Sequence, residues 1–289
     1  MIRFIATDMD GTLLTHDKKI SVKNLEALRA AQEKGVILAL ASGRGEPSLR
    51  RYAEELEMYK YGGYLICNNG QKVIALADGS IIENPSLQQE VVQRLFRFAK
   101  RNRLELIMEG DGGTSVYTPI HMGVARYLYR RFKKIRNLIL HRPKDSRLDL
   151  FTIPTNRLIT RVGTEEDIAG IYFKIGMPHR KQRLDDIATA ITAEFGSEIS
   201  TFRVTDNWID MVAFGVSKAI GFQQILDLNG IPLEASMAIG DSENDIDMLR
   251  LAGIGVAMGN AMPSVLAMAD EVTLTNEEDG VAAVVLKHL

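Results

Sequence analysis

Short, almost wholly apolar runs alternate with stretches of helical spacing at both ends of the chain. Residues 2–6 (IRFIA), 36–41 (VILALA) and 64–67 (YLIC) are runs of this kind, as expected for strands buried on both faces of a parallel sheet. Between the first two, Leu25, Leu28 and Ala31 recur at helical spacing, Ser21 stands where an N-cap is needed, and Gly35 follows the end. A βαβ unit is predicted there. Residues 237–240, 253–257 and 271–274 read as further strands, with a helix over 243–251.

The middle of the chain has a different grain. A helix is predicted from 84–86 onward, because Leu87, Val91, Leu95 and Ala99 recur every four residues before a basic end at 100–103. A Gly-rich loop is expected at 109–113, a basic helical stretch at 124–136, strands at 157–162, 170–175 and 201–204, and a helix at 181–195. None of these resembles the buried parallel strands outside them. Residues 85–205 are therefore expected to form an inserted α+β domain, and residues 1–84 with 206–289 an α/β core. Met237, Met248, Met258, Met262 and Met268 read as core packing.

Composition narrows the function classes. The 289 residues carry 35 Lys+Arg against 37 Asp+Glu, with 46% apolar and 25% charged residues, which describes a folded domain rather than a disordered one. A net charge of −2 lacks the basic field with which nucleic-acid binders neutralise phosphates, so no nucleic-acid partner is expected. Cys67 is the one cysteine, which excludes an intrachain disulfide and a Cys-based zinc cluster. The N-terminus shows no secretory pattern, and the longest apolar window, 251–269, is broken by Gly253, Gly255, Gly259 and Pro263. The expectation is a cytoplasmic protein with no membrane association. No local motif specifies an oligomeric state.

Two acidic clusters carry the candidate chemistry. Asp8 and Asp10 lie two residues apart after the first strand, where extended backbone would send both carboxylates to one side. Their repulsion calls for a metal ion or a shared proton. Gly240-Asp241-Ser242-Glu243-Asn244-Asp245 follows another strand and enters a helix, so that Asp241, Asn244 and Asp245 would share a face. Both clusters are expected at the carboxyl ends of parallel strands, where doubly wound sheets bind ligands. Oxygen ligands without His or Cys favour Mg²⁺ over zinc. Ser42-Gly43-Arg44 follows the second strand and offers a hydroxyl and accessible backbone N–H groups, a corner suited to phosphate. Lys218 opens a predicted helix and could balance such a site. Residues 253–259 (GIGVAMG) fail the dinucleotide fingerprint, because the third glycine comes one residue late, and no P-loop is present.

Taken in order, Asp8-Met9-Asp10-Gly11-Thr12-Leu13-Leu14, Ser42-Gly43-Arg44, Lys218 and the Gly240–Leu249 segment resemble the motifs of haloacid dehalogenase (HAD) superfamily phosphatases of the Cof type with a class II, subtype B cap. Asn69-Gly70 and the closing Asn276-Glu277-Glu278-Asp279-Gly280 agree with it, and the likeness spans nearly the whole chain. The resemblance implies a Rossmann-like parallel-sheet core with an inserted α+β cap domain. It implies that Asp8 attacks phosphorus and that Asp10 protonates the leaving oxygen and later activates water. It also implies Mg²⁺ held by Asp8, the backbone carbonyl of Asp10 and Asp241, with Asp245 in support, and phosphoryl oxygens held by Ser42, Gly43, Lys218 and Asn244.

The expected activity is hydrolysis of a small phosphorylated metabolite, a sugar phosphate being the commonest family choice. Arg44, Glu109 and Asp111 are candidates for selecting the leaving group, the last two because a flexible Gly-rich segment could reach the reaction centre. A phosphomutase and a non-catalytic phospho-receiver module are the rival readings. The segment Ala213-Phe214-Gly215-Val216-Ser217 departs from the usual family pattern before the lysine and puts the local backbone approach in question. The basic group at 126–136 reads first as a solvated helix face and that at 179–183 as a helix entrance, with attraction of an anionic substrate the second reading for each.

Overall fold

A computed structural model describes residues 1–123 and 159–289. The basic stretch predicted at 124–136 lies outside the described residues. In chain order the strands are β1 (Phe4–Asp8), β2 (Ile37–Ala41), β3 (Tyr64–Cys67), β4 (Lys72–Ala75), β5 (Ile81–Glu83), β6 (Leu106–Gly110), β7 (Gly113–Tyr117), β8 (Ile159–Arg161), β9 (Tyr172–Pro178), β10 (Ile199–Thr205), β11 (Trp208–Ala213), β12 (Ser236–Gly240), β13 (Ile254–Ala257) and β14 (Glu271–Val272). Two compact units result: Met1–Pro85 with Phe202–Val204 and Phe214–Leu289, and Ser86–Thr201 with Thr205–Ala213.

The first unit is built on a sheet of order β14-β13-β12-β1-β2-β3-β4-β5. From β14 to β3 the pairing is parallel, and β4 and β5 continue it antiparallel. Every residue of β1 and of β12 is buried, which is why Phe4-Ile5-Ala6 and Met237-Ala238-Ile239 within them read as apolar runs. The predicted first helix forms as Val22–Glu33, with the Ser21 side chain accepting the Asn24 N–H at 3.2 Å. It packs on the C-terminal helix Gly280–His288, where the Ala282 N–H donates to Asn24 Oδ1 at 2.8 Å. On β1, Phe4 meets Phe222 with ring centroids 4.9 Å apart.

In the second unit the sheet order is β10-β11-β9-β6-β7-β8. Leu106, Met108, Ile175, Met177, Ile209 and Met211 are all buried, alternating along β6, β9 and β11 as one apolar face does. The helices Gln89–Asn102 and Lys181–Phe195 bury Val92, Leu95, Phe96 and Ala99, and Leu184, Ile187, Ile191 and Phe195, and Phe98 meets Phe195 edge to face at 6.0 Å.

Several sequence expectations move. The segment 109–113, expected as a loop, is the junction of a β-hairpin: Glu109 pairs with Thr114 and Gly110 with Gly113, leaving Asp111 and Gly112 as the two-residue turn. The return to the core, expected at 206, comes in two steps: Phe202–Val204 already belongs to the first unit, and the final return is at Phe214, because Trp208–Ala213 pairs antiparallel with β9. The helix expected over 243–251 begins as one 3₁₀ turn, Glu243–Asp245, before the α-helix Ile246–Leu251. Among the described residues no helix is long and apolar enough to cross a membrane.

Candidate active site

Strand order places the chemistry. β1 lies between β12 and β2, with Thr7 level with Ile239 and Asp8 level with Ala41. Asp8, Ser42 and Asp241 thus stand at the carboxyl ends of three adjacent parallel strands, the edge at which such sheets bind ligands. Asp8, Asp241 and Asp245 each offer a carboxylate oxygen, all within 4.8 Å of one another.

Lys218 is the counter-charge. It is fully buried at the start of the helix Lys218–Asn229, and its Nζ lies 2.5 Å from Asp8 Oδ1 and 2.6 Å from Asp245 Oδ1. The unusual segment before the lysine does not disturb this: Val216 is buried and Phe214 faces solvent. The approach depends on Gly70, whose φ of +95° is left-handed and whose added Cβ would fall 2.0 Å from the Ser217 carbonyl oxygen. That close approach gives the Asn69-Gly70 pair its structural reason.

The acidic residues are further restrained. Asp241 Oδ1 accepts the Thr12 hydroxyl at 2.8 Å and Oδ2 the Ser242 hydroxyl at 3.1 Å. Asp245 Oδ2 accepts the backbone N–H groups of Asp241 and Ser242 at 3.1 and 3.0 Å, so one carboxylate caps the turn while its other oxygen holds Lys218. Asn244 Nδ2 donates to Asn69 Oδ1 at 2.9 Å, and Asn244 Oδ1 is buried without a protein partner, an open position in the site. Ser42 Oγ accepts the Arg44 N–H at 3.2 Å; Gly43 follows it in the same loop.

Charge is crowded here. Burial, reinforced by Asp245 and Asp241, raises the Asp8 carboxyl well above its ordinary range against the pull of Lys218. Asp241 is pushed up to about 7 by burial and then by the charge of Asp245. Burial alone would lower Lys218, but Asp245 and Asp8 outweigh it and keep the ammonium charged. Two buried carboxylates on one lysine, with the half-buried Asp241 beside them, form an oxygen-only donor set that a divalent cation would relieve. The residues present fit such an ion.

Asp10 goes elsewhere. Its side chain takes no part in the three-carboxylate cluster. Alternation along a strand ends with the strand, and β1 ends at Asp8; the Leu13 N–H returns to the Asp8 carbonyl and the Leu14 N–H to that of Met9, turning the chain between the two aspartates. The Asp10 carboxylate is taken instead by Arg44, with Nε at 2.6 Å from Oδ2 and Nη2 at 2.5 Å from Oδ1, and by Lys18 Nζ at 2.6 Å. Burial would raise its pKa, but the Arg44 hydrogen bonds and charge and the Lys18 charge bring the net shift below the usual range.

The other selectivity candidates lie in the second unit. The Asp111 carboxylate accepts the N–H groups of Gly112 at 2.8 Å and Ile171 at 3.3 Å and so holds the hairpin turn, while Glu109 Oε1 lies 3.4 Å from Lys174 Nζ. Sequence reasoning missed Thr12, Lys18 and Asn69 as neighbours of functional groups. Thr12 and Asn69 sit inside motifs that were read for other residues; Lys18 has no local signal.

The sequence profile of the haloacid dehalogenase-like hydrolases matches residues 5–285. The chain is 28% identical, over 96% of its length and 94% of the relative's, to a 5-amino-6-(5-phospho-D-ribitylamino)uracil phosphatase of Bacillus subtilis. It is 27% identical to the phosphatase YwpJ of the same organism, with both chains covered in full. Among solved structures it resembles a haloacid dehalogenase-like hydrolase from Bacteroides thetaiotaomicron at 29% identity and a TM-score of 0.75, covering 100% of both chains. It also resembles a sugar phosphatase of HAD subclass IIB at 27% identity and a TM-score of 0.74, covering 99% of this chain and 98% of that one.

Proposed function

The chain belongs to the haloacid dehalogenase-like hydrolases, and from that premise we propose that it is a Mg²⁺-dependent phosphatase that hydrolyses a small phosphorylated metabolite, a sugar phosphate, through an aspartyl phosphate on Asp8. The observation that carries the reading is the Asp8 carboxylate, set at the end of β1 with Lys218 at 2.5 Å and two further carboxylates beside it. The substrate class is supported by two relatives, one named a sugar phosphatase and the other a phosphatase of a phospho-ribityl compound.

In the first step an Asp8 oxygen bonds to phosphorus and the bond from phosphorus to the leaving oxygen breaks, while Asp10, which enters this step protonated against the pull of Arg44 and Lys18, passes its proton to that oxygen. In the second step Asp10 takes a proton from water, the water oxygen bonds to phosphorus, and the Asp8–phosphorus bond breaks. Asp10 thereby recovers the proton it gave. Lys218, Ser42, Asn244 and the backbone N–H of Gly43 hold the phosphoryl oxygens, where fixed donors stabilise the charge that builds in the transition state. Asp8, Asp241 and Asp245, with the Asp10 carbonyl, would hold Mg²⁺, which supplies charge neutralisation on the phosphoryl group when bound. The second unit, inserted where this family carries its cap, is the part that selects the leaving group.

Phosphate release from p-nitrophenyl phosphate tests the reading. Wild-type protein with Mg²⁺ is expected to turn over and to accumulate free phosphate, EDTA to stop it, and Asp8→Asn to abolish it by about 10³-fold or more. Undiminished turnover in Asp8→Asn would eliminate the covalent route.

A further inference from the structure

Arg44 was expected to meet the substrate, yet both oxygens of Asp10 lie on its guanidinium fork, Nε to Oδ2 and Nη2 to Oδ1. A planar fork facing a planar carboxylate fixes the carboxylate's plane as well as its place. An ion pair at a surface is often incidental, but three features separate this one from that case.

The backbone of Arg44 is held from both sides: its N–H donates to Ser42 Oγ at 3.2 Å, and its carbonyl accepts the Asn68 N–H at 3.0 Å. A second cation comes from a different element, Lys18 Nζ at 2.6 Å from Asp10 Oδ1. Lys18 also has φ of +59°, a left-handed conformation that a non-glycine residue keeps only where its surroundings enforce it. Here the Tyr52 hydroxyl donates to the Lys18 carbonyl at 3.1 Å, and the Lys18 N–H donates to the Thr15 carbonyl at 2.9 Å. Two cations from different elements therefore converge on one carboxylate.

We propose that Arg44, assisted by Lys18, is the positioning residue of Asp10: it holds in one orientation the carboxyl group that exchanges protons with the leaving oxygen and with water, and it does not select the leaving group. This rests on the phosphatase reading above. The two roles differ in what they respond to. A selecting residue responds to the shape of the leaving group, whereas a residue that aims the proton donor matters in proportion to how badly the leaving oxygen needs a proton.

The test is kcat/KM on a series of para-substituted phenyl phosphates, which differ little in shape and widely in leaving-group basicity. For wild type, kcat/KM is expected to vary weakly along the series. For Arg44→Gln the loss is expected to grow from about threefold with p-nitrophenyl phosphate, whose leaving group departs as a stable anion, to about 10²-fold with phenyl phosphate. Arg44→Lys keeps the charge without the fork and is expected to follow Arg44→Gln rather than wild type. In an Asp10→Asn background Arg44→Gln is expected to cost almost nothing more, because the group it positions is gone.

A uniform loss along the series, full recovery in Arg44→Lys, or an undiminished effect in Asp10→Asn would each overturn the positioning role. Absence of phosphate release by wild type from every ester, or its persistence in Asp8→Asn, would instead overturn the phosphatase reading. The two failures are therefore distinguishable.

Discussion

Each unit of this protein buries a lysine between carboxylates, and the two lysines are built differently. Lys218 stands at strand ends with Asp8 and Asp245 at 2.5 and 2.6 Å and Asp241 adjoining them. Lys174 lies within the second sheet, on β9, with Glu109 of β6 at 3.4 Å and Asp210 of β11 at 3.3 Å, and Asp210 also accepts the Trp208 indole N–H at 2.7 Å. For both lysines burial would lower the pKa and the carboxylates reverse it. The difference lies in surroundings. Mid-strand groups are fixed by sheet register, and Glu109 stands directly across from Lys174, whereas groups at strand ends belong to loops with spare donors and acceptors. Losing one partner of a buried pair within a sheet leaves the other charge buried and uncompensated; the same arrangement at the carboxyl edge, crowded by a third carboxylate, is placed to meet a ligand.

The contrast is sharpest under lysine removal. Lys218→Met is expected to lower kcat on p-nitrophenyl phosphate by about 10²–10³-fold, the usual cost of losing one fixed charge at a transition state. Lys174→Met is expected to change that kcat by less than about threefold while lowering stability by about 3–5 kcal/mol in chemical denaturation, because two carboxylates lose their buried partner. If the two variants lose activity alike, the division into a reacting lysine and a structural one fails.

A smaller effect is expected from pH. Asp241 is raised by burial and by Asp245 from 3.8 to about 7, so above about pH 4 the unfolded chain releases a proton that the folded protein keeps. The stability associated with this group is present below its unfolded pKa and is lost as pH rises toward 7. Without added metal, Asp241→Asn should therefore match wild type near pH 4 and exceed it by on the order of 1–3 kcal/mol near pH 7.5. Mg²⁺ should then raise the melting temperature of wild type more than that of the variant. Equal melting curves at both pH values would mean that Asp241 is not crowded as described.

How far each part was legible follows from what it buries. β1, β2, β3, β12 and β13 are covered on both faces, so their apolar runs announced them. Trp208–Ala213 did not announce itself, because an aspartate sits mid-strand; Asp210 is met there by the Trp208 indole of its own strand and by Lys174, and the lysine comes from β9, a tertiary contact. The hairpin at Gly110–Gly113 looked like a loop because its glycines mask the alternation on either side. At the site, Asp8, Asp241, Asp245, Ser42 and Lys218 were recognisable from motif order. The destination of the Asp10 carboxylate was not, since its partners come from a left-handed turn and from the loop after β2.

The local chain by itself determined which residue types stand at which strand ends, because apolar runs specify strands and the polar residues after them must lie at an edge. Tertiary structure decided which edges adjoin, which of two neighbouring aspartates joins the buried cluster, and that Arg44 grips the other. Those outcomes depend on strand order and on charges converging from segments far apart in sequence, and local patterning carries no information about either.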